Sequence, residues 1–432
     1  MEDMEELAGL EELKINENVS VSYIPMEKLK TTSVGVYIHI PLNESTATET
    51  ALLPYVLKSA SALCPEREAV ARYLDDLYGA TMGATVLKRG EDQVIYFDGE
   101  TISDSFAPEG EKLLSGLLRL VLAAVFDPLV KDGAFDEKIV EQEKTNAKDR
   151  IDAFVNDKRA YASARCQQET ARGTKFEIPR YGYKDKIDGI TAKSLYEHYR
   201  SIITSSVIDI YVCGSGSAGE AAETVRGFTD SLSFTPAQIP HTEIIERDEK
   251  EPHRVTEHMD VAQGKLAMGF LTGIRPGDDD FFALTVFNSV FGAGAHSKLF
   301  NNVREKLSLA YYASSQLEKF KGMLTVNAGI EFENFRKAYD ETLAQLEDIR
   351  KGNITEHEFV SSVNAILNLC SSYYDDQRAL VSYYVSDKTA GTNISLEEFA
   401  ERIKRVTAED VVRVSKKLRL DTVYFLAGKE EA

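Results

Sequence analysis

Ile208-Asp-Ile-Tyr-Val-Cys-Gly214 follows a helical pattern that opens at Ile190-Thr-Ala192, and the chain repeats this arrangement near its end. There, Val406-Thr-Ala408 opens a second helical pattern that leads to Thr422-Val-Tyr-Phe-Leu-Ala-Gly428. The two arrangements lie half a chain apart in a sequence of 432 residues. This self-similarity indicates that one structural unit occurs twice.

Two further pairs of segments repeat with nearly the same offset. Residues 135–159 and 354–378 share a Glu near the helix start, an Asn-Ala pair in the middle and an Asp-x-Arg ending. Near the start of each unit, a strand, a polar loop and a helix follow one another, at 33–40 and 51–63 in the first half and at 265–271 and 281–291 in the second. Three collinear matches predict a duplication.

The residue patterns predict the fold class. Segments such as 93–97 and 323–327 are rich in β-branched and aromatic residues, as expected of strands. The long patterns at 135–168 and 355–384 are typical of helices with capped N-termini. The sequence therefore predicts an α+β fold of two homologous halves, each a mixed α/β roll with an antiparallel-rich sheet flanked by helices. The halves are expected to enclose a chamber.

A segment between the halves predicts the domain boundaries. It runs from Phe234 to Pro252, and its three prolines and its charged run interrupt the apolar periodicity. We therefore predict an N-terminal domain at 1–235, a linker at 236–252 and a C-terminal domain at 253–432.

The charge of the chain limits its partners. Fifty Lys and Arg against 70 Asp and Glu give a net charge of −20, and no segment forms a basic patch. This charge repels polyphosphate backbones and anionic lipid surfaces. We expect no nucleic-acid partner and no membrane partner, whereas a basic or extended peptide is permitted.

Three features predict a cytoplasmic protein. The first 20 residues are acidic, unlike the positively charged start of a secretory signal. The longest apolar stretch, 113–126, is too short to span a membrane and predicts a buried helix. The four cysteines lie far apart without a Cys-x-x-Cys pair, which predicts buried, reduced thiols.

The stretch 290–312 holds the candidate functional residues of the second half. Gly292 and Gly294 permit a tight turn, Arg304 lies in a helical pattern, and Tyr311 follows seven residues later. This stretch resembles the C-terminal domain of the pitrilysin/insulinase-type zinc peptidases, in which a glycine-containing turn, a helix bearing Arg and a Tyr seven residues later occur in this order. The duplicated α+β organisation extends the resemblance to nearly the whole chain.

The resemblance implies roles for these four residues. Arg304 and Tyr311 are expected to be catalytic, donating hydrogen bonds to a substrate carbonyl as charge builds on its oxygen. Gly292 and Gly294 are expected to contact the substrate. Structural alternatives stay open, because Arg304 on an amphipathic helix can be a solvated residue, Tyr311 can start a strand, and the glycine turn can be a helix C-terminus.

The catalytic half of such a peptidase carries His-x-x-Glu-His on a helix of its N-terminal domain, because two His one turn apart share a face for zinc. The equivalent helix here contains no His and no Glu after Thr50, and Ala51, Pro54 and Tyr55 stand where the motif falls. The resemblance places a distal Glu ligand on the helix that contains Glu141 and Glu143. A lone carboxylate cannot hold zinc.

Other histidines offer weak alternatives for a metal. His253 and His258 flank a motif-like segment with Glu257, but residues five apart face opposite sides of a strand and diverge on a helix. The remaining histidines, His39, His198, His241, His296 and His357, are scattered in sequence. We therefore predict no metal ligands and no cofactor in this chain.

The resemblance implies a noncatalytic subunit of a heterodimeric zinc metallopeptidase. This chain would contribute substrate binding and oxyanion stabilisation, while a homologous subunit with an intact His-x-x-Glu-His motif would hold zinc and attack a peptide substrate. Alone the chain is expected to be inactive, and a homodimer in isolation stays an alternative. Two other functions remain open: an inert peptidase-fold scaffold or binding protein, and an autonomous metallopeptidase with atypical ligands.

Overall fold

The computed structural model describes residues 9–429. The outermost residues of both predicted domains, 1–8 and 430–432, lie outside this range, and the signal-peptide argument rests partly on them. The described strands are β1 (Glu11–Lys14), β2 (Val19–Pro25), β3 (Thr31–Pro41), β4 (Thr81–Arg89), β5 (Asp92–Ile102), β6 (Val130–Lys131), β7 (Ala134–Phe135), β8 (Val207–Gly214), β9 (His253–His258), β10 (Gly264–Leu271), β11 (Ala310–Glu318), β12 (Met323–Ile330) and β13 (Arg419–Ala427).

The described α-helices lie between groups of these strands, and five of them follow one another before β13. They are α1 (Ala47–Ser59), α2 (Arg67–Asp76), α3 (Leu113–Phe126), α4 (Glu137–Asn156), α5 (Lys158–Thr170), α6 (Ala192–Ile203), α7 (Ala218–Thr229), α8 (Asp280–Phe291), α9 (Phe335–Arg350), α10 (Glu356–Tyr373), α11 (Gln377–Ala390), α12 (Leu396–Arg405) and α13 (Ala408–Ser415). A π-helix covers Leu299–Lys306. The predicted α+β class is confirmed. None of the described helices has the length and hydrophobicity to cross a membrane.

The described chain forms two compact units. Unit 1 contains residues 9–151, 178–241 and 375–382, and unit 2 contains 152–177, 242–374 and 383–429. The packing units are thus discontinuous in sequence, whereas the boundaries predicted at 235 and 253 divide the chain into consecutive halves. The predicted domains at 1–235 and 253–432 and the linker at 236–252 stay a prediction.

The sheets of the two units have the same strand order. In unit 1 the order is β1-β2-β8-β3-β5-β4, and in unit 2 it is β9-β13-β10-β12-β11, read from the corresponding edge. In each sheet one pair is parallel, β2 with β8 and β9 with β13, and the other pairs are antiparallel. The large sheet of unit 1 has the extra edge strand β1, and unit 1 also contains the small two-stranded sheet β6-β7. This agreement is what two copies of one unit require.

In unit 1, the two faces of the sheet differ in polarity because successive side chains of a strand alternate. Val36, Ile95 and Ile210 lie in the hydrophobic core that the sheet forms with α1, α3, α6 and α7. The opposite face carries His39 and Asp209, which are also buried. As predicted, 113–126 is a buried helix, α3, and all four cysteines are buried free thiols.

The two long helices predicted from the sequence are each broken. The pattern 135–168 is interrupted at Asp157, whose side chain accepts a hydrogen bond from the amide of Ala160 at 3.0 Å and so begins α5. Asp376 does the same for the amide of Ala379 at 3.0 Å, at the start of α11. The capping carboxylates end the continuous helices at equivalent positions of the repeat. Near these breaks the chain passes from one unit to the other.

Candidate functional site

Gly292 ends helix α8 against strand β11. Its amide donates to the carbonyl of Asn288 at 2.9 Å, and its own carbonyl accepts from the amide of Ser315 at 3.0 Å. A Cβ atom at Gly292 would lie 2.6 Å from that Ser315 nitrogen and 2.8 Å from Cδ1 of Leu299. The close approach of β11 therefore requires glycine here for packing. Gly294 follows in the turn, and its carbonyl accepts from the amide of Ser297 at 3.1 Å.

We expect Gly292→Ala to lower the free energy of unfolding by about 1 to 3 kcal/mol, because the added methyl group forces backbone to shift. The matched control is Gly227→Ala on α7, where a Cβ meets no atom within 4 Å. That change should be neutral or stabilise by up to about 1 kcal/mol, since alanine favours the helix. Urea unfolding of the full chain measures both. Equal stability of the two variants would contradict the packing role. Contact with the substrate would then be the remaining explanation for a glycine at position 292.

Arg304 lies on the exposed side of the π-helix. Leu299 and Val303 of the same helix are fully buried and anchor it in the core of unit 2. The Arg304 guanidinium lies 4.6 Å from the centre of the Phe300 ring, and its Nε is 3.5 Å from Oε1 of Glu305. The side chain is 41% exposed. Arg304 therefore has partners on its own helix and remains accessible.

Tyr311 lies on β11, an edge strand of the unit 2 sheet. Its side chain is 55% exposed, and its hydroxyl donates a hydrogen bond to the carboxylate of Glu331. That hydrogen bond raises the pKa of Tyr311, so the phenol stays protonated at neutral pH. The amide of Leu309 donates to the carbonyl of Val303 at 3.0 Å and joins the end of the π-helix to the start of β11. Arg304 and Tyr311 thus sit on consecutive elements that are tied together.

The helix expected to carry the zinc motif is α1 of unit 1. Ala51 and Pro54 are buried on it, and neither can ligate a metal. The Tyr55 ring stacks against the guanidinium of Arg150 at 3.3 Å, and its hydroxyl shares a hydrogen bond with Thr85 at 3.2 Å. The three positions therefore offer no imidazole and no carboxylate, and an arginine covers one of them.

Glu143, one of the two glutamates on the helix expected to carry the distal ligand, is neutralised by two arginines. Its carboxylate is only 8% exposed, with Oε1 2.5 Å from Nη2 of Arg67 and Oε2 3.2 Å from Nη2 of Arg150. A buried carboxylate needs a compensating positive charge, and here the guanidinium groups supply it. The sequence analysis names Glu141 and Glu143 together, and nothing in it indicates Arg67, which comes from α2. Arg150 lies two helical turns after Glu143 and could have been found by that spacing.

The weaker metal candidates do not converge either. His253 and His258 are the first and last residues of β9. His253 Nε2 lies 3.1 Å from Glu169, whereas His258 Nδ1 lies 2.8 Å from the carbonyl of Gly428. Across residues 9–429, no group of three or more His, Cys, Asp or Glu side chains is placed to hold a metal ion.

We expect the purified full chain to contain far less than one zinc per molecule after dialysis, because the arginines compensate Glu143 and leave no ligand set. Elemental analysis by mass spectrometry measures this. A control sample is first incubated with excess zinc and then dialysed in the same way. Zinc retained at one equivalent would contradict the absence of metal ligands.

A buried charged cluster lies on the polar face of the unit 1 sheet. His39 Nδ1 is 2.5 Å from Oδ2 of Asp92, and His39 Nε2 is 3.3 Å from Oδ2 of Asp209. Burial lowers the pKa of His39, but the charges of both carboxylates and the hydrogen bond to Asp92 outweigh it and raise the pKa to about 9. Ser20 and the amide of Ile40 donate to the two carboxylates. All three charged side chains are almost fully buried, so the cluster is closed to solvent.

Comparison with known proteins identifies the family. Residues 189–366 match the family described as the peptidase M16 inactive domain. The chain is 36% identical to "Probable inactive metalloprotease YmfF" of Bacillus subtilis over 410 residues, which cover 95% of this chain and 96% of that protein. The chain belongs to the M16 peptidase family. This confirms the predicted resemblance to the pitrilysin/insulinase-type zinc peptidases. The family model covers only residues 189–366, whereas the similarity to YmfF extends over nearly the whole chain.

Two further proteins are similar to this chain over about two thirds or more of its length. A conserved protein from Enterococcus faecalis V583 superposes with a TM-score of 0.88 at 30% identity, covering 98% of this chain and 100% of that chain. "Uncharacterized zinc protease YmxG" of Bacillus subtilis is 22% identical over 290 residues, which cover 66% of this chain and 69% of that protein. Zinc is the metal that this M16 resemblance implies, and the residues at Ala51, Pro54, Tyr55 and Glu143 do not fit it.

Proposed function

We propose that this chain is the noncatalytic subunit of a two-chain M16 zinc peptidase. It contributes substrate binding and oxyanion stabilisation, and its partner is a homologue with an intact His-x-x-Glu-His motif. The observation that carries the proposal is the pair of exposed donors, Arg304 and Tyr311, in a chain whose Glu143 is compensated by arginines instead of a metal. The names of the relatives support it, since YmfF is described as probably inactive and YmxG as a zinc protease.

The two donors suit the chemistry of peptide hydrolysis. As water adds to a peptide carbonyl, negative charge develops on the carbonyl oxygen, and preorganised donors stabilise that charge. Arg304 supplies a permanent positive charge, and Tyr311 supplies a neutral hydroxyl. Because the hydrogen bond to Glu331 raises the pKa of Tyr311, the phenol keeps its proton at neutral pH. Binding of substrate requires that Tyr311 turns its hydrogen bond from Glu331 to the oxyanion.

The two subunits have different roles because they supply different residues. The partner provides zinc, its ligands and the general base, and this chain provides Arg304, Tyr311 and the turn at Gly292 and Gly294. We propose that the pair works in the cytoplasm on an unstructured peptide. The net charge of −20 favours a basic peptide over an acidic one.

Reconstitution tests the proposal. The full chain is coexpressed with an M16 homologue from the same genome that has an intact motif, and hydrolysis of a library of unstructured peptides is followed by mass spectrometry. We expect cleavage by the pair and none by this chain alone. The control replaces the motif Glu of the partner by Gln, which should abolish cleavage. If the partner alone cleaves as fast as the pair, this chain supplies no part of the site.

A peptide-binding scaffold without chemistry is the second candidate. It is favoured by the partners that both donors already have, Phe300 and Glu305 for Arg304 and Glu331 for Tyr311. These contacts are complete without a substrate. Binding of a peptide by the pair, with a rate of hydrolysis that does not depend on this chain, would support this candidate.

A further inference from the structure

The face of the unit 2 sheet that packs on α5 carries a row of residues next to Tyr311. Lys265 of β10 is paired in register with Gly329 of β12, and Gly329 is paired in turn with Tyr312 of β11. Residues that are paired across a sheet point to the same face. Neighbouring strands lie about 4.8 Å apart, so only one strand separates Lys265 from Tyr312.

Gly329 leaves room for the Tyr312 ring to lie across that middle strand. A Cβ atom at Gly329 would overlap Cε1 of Tyr312 and would lie 3.0 Å from its Cδ1. The guanidinium of Arg159, the second residue of α5, lies over the same ring at 4.1 Å from the ring centre. The ring extends over β12 towards β10, so it holds the Arg159 guanidinium on the side of Lys265.

Arg159 and Lys265 are two like charges without a counter-ion. Within residues 9–429 neither side chain forms an ion pair, and the carboxylate of Asp157 accepts a hydrogen bond from the amide of Ala160 instead. Burial and the charge of Arg159 lower the pKa of Lys265, whereas a close carboxylate would raise it. The fold therefore keeps two cations close together against their repulsion, which a bound anion would offset.

The other arginines of this segment have acidic partners. Arg165 Nε lies 2.9 Å from Oε1 of Glu257, and Arg172 Nη1 lies 2.7 Å from Oδ2 of Asp421. The chain has 70 acidic side chains for 50 Lys and Arg, so acids are abundant elsewhere. The two cations beside Tyr312 thus form a local positive site in an acidic chain.

This positive site lies at the same end of the sheet as the donor Tyr311. The hydroxyl of Tyr311 donates to Glu331, which is two residues after Gly329. Tyr311 is also the extra residue of a β-bulge, because Ala310 and Tyr312 pair with consecutive residues of β12. A peptide with its carbonyl oxygen at Tyr311 can therefore reach the positive site with a neighbouring residue.

We infer that Arg159 and Lys265 bind a carboxylate of the peptide substrate. The inference rests on the proposed function, since it assigns a further substrate group to the site that contains Arg304 and Tyr311. Guanidinium and ammonium groups form charge-assisted hydrogen bonds with carboxylates. The carboxylate is that of the peptide C-terminus or of an acidic side chain, and the two sources are separated by experiment.

Binding is measured with the full chain alone, by fluorescence anisotropy of three labelled unstructured peptides. The first lacks Asp and Glu and has a free C-terminus, the second is its C-terminal amide, and the third is the amide with one Asp added. We expect the first or the third to bind at least about tenfold more tightly than the second, because a charge-assisted contact is gained. The tighter of the two identifies the source of the carboxylate. Equal affinity for all three peptides overturns the inference.

Substitutions test the two residues. Arg159→Gln and Lys265→Gln should each weaken binding of the carboxylate peptide by about tenfold and leave binding of the neutral amide unchanged. Arg159 is exposed, so Arg159→Gln is expected to fold and carries the test if Lys265→Gln does not. The control Arg336→Gln removes the same charge from α9, which packs on the opposite face of the sheet, and should not alter binding. An unchanged preference for the carboxylate in Arg159→Gln overturns the inference.

The reconstituted pair separates this inference from the proposed function. If the pair hydrolyses peptides and KM is the same with and without the carboxylate, the hydrolytic role stands and the inference is overturned. If the pair does not hydrolyse peptides but the full chain prefers the carboxylate peptide, the carboxylate site is supported and the hydrolytic role fails.

Discussion

Arg304→Ala and Tyr311→Phe each lower peptide hydrolysis by the reconstituted pair by about 10- to 1,000-fold, if both donors stabilise the oxyanion. Removal of one preorganised donor has an effect of this size because the donor acts on charge that exists only in the transition state. We therefore expect the loss in kcat, with little change in KM. Steady-state kinetics with a single quenched fluorescent peptide measures both constants.

The chain provides matched controls for both substitutions. Tyr78 is an exposed tyrosine whose hydroxyl donates to the carboxylate of Glu111, as Tyr311 does to Glu331. Arg336 is an exposed arginine paired with Asp340 at 2.7 Å. Tyr78→Phe and Arg336→Ala should leave kcat unchanged. Unchanged turnover in both Arg304→Ala and Tyr311→Phe would refute their role and favour the scaffold candidate.

His39→Gln is expected to lower the free energy of unfolding by about 3 to 5 kcal/mol at neutral pH. The substitution removes the positive charge between Asp92 and Asp209 and leaves the two buried carboxylates with one buried cation, the guanidinium of Arg89, which interacts with Asp92. Removal of one member of a buried charged group is costly because the remaining charge cannot be solvated. Urea unfolding followed by circular dichroism measures the loss. A loss below about 1 kcal/mol would show that the cluster is not held together by the imidazolium.

The same cluster predicts how stability depends on pH. The pKa of His39 is raised from its ordinary 6.5 to about 9, so the folded chain holds a proton that the unfolded chain releases. The stabilisation from His39 is complete below about pH 6.5, decreases between about 6.5 and 9, and is lost above 9, a total of about 3 kcal/mol. His39→Gln should lack this decrease. A variant that keeps the full alkaline decrease would assign it to another group.

The pKa of His198 is shifted in the opposite direction from that of His39. Burial lowers its pKa to about 4, and its Nε2 shares a hydrogen bond of 2.8 Å with Thr50. The stabilisation from His198 is present above about pH 6.5 and is lost as the pH falls towards 4. His198→Gln should therefore remove an acid decrease in stability and keep the alkaline decrease that depends on His39.

Local patterns in the sequence predicted most of the regular elements. Enrichment in β-branched and aromatic residues, together with the repeat, located β3, β5, β8, β10, β12 and β13, and the apolar run at 113–126 predicted α3 with its bounds. The repeat predicted that both sheets would share one architecture, which their strand orders bear out. The sequence analysis did not predict the helix breaks at Asp157 and Asp376, because the helical periodicity continues across both positions. In the structure a single capping carboxylate begins a new helix at each of them.

The candidate site was predicted only where its residues lie close in sequence. Arg304 and Tyr311 are seven residues apart and belong to one recognisable stretch, and their roles stay a prediction. Glu331 accepts the hydrogen bond of Tyr311 and lies just after β12, the strand that follows β11. No sequence motif links Glu331 to Tyr311, so the sequence gives no reason to name it as a site residue. The contact of Arg67 with Glu143 joins α2 to α4, so no sequence spacing indicates it.

The sequence by itself determined the class of fold, the repeat, the absence of His-x-x-Glu-His from the first half and the presence of an Arg and Tyr pair in the second. These features follow from residue type and spacing along the chain. Only the tertiary structure decided that two arginines compensate Glu143, that His39 lies between two buried aspartates, and that Gly292 is required by an approaching strand. The reason is that charge compensation and steric contact depend on distance in space, which the folding of remote segments sets.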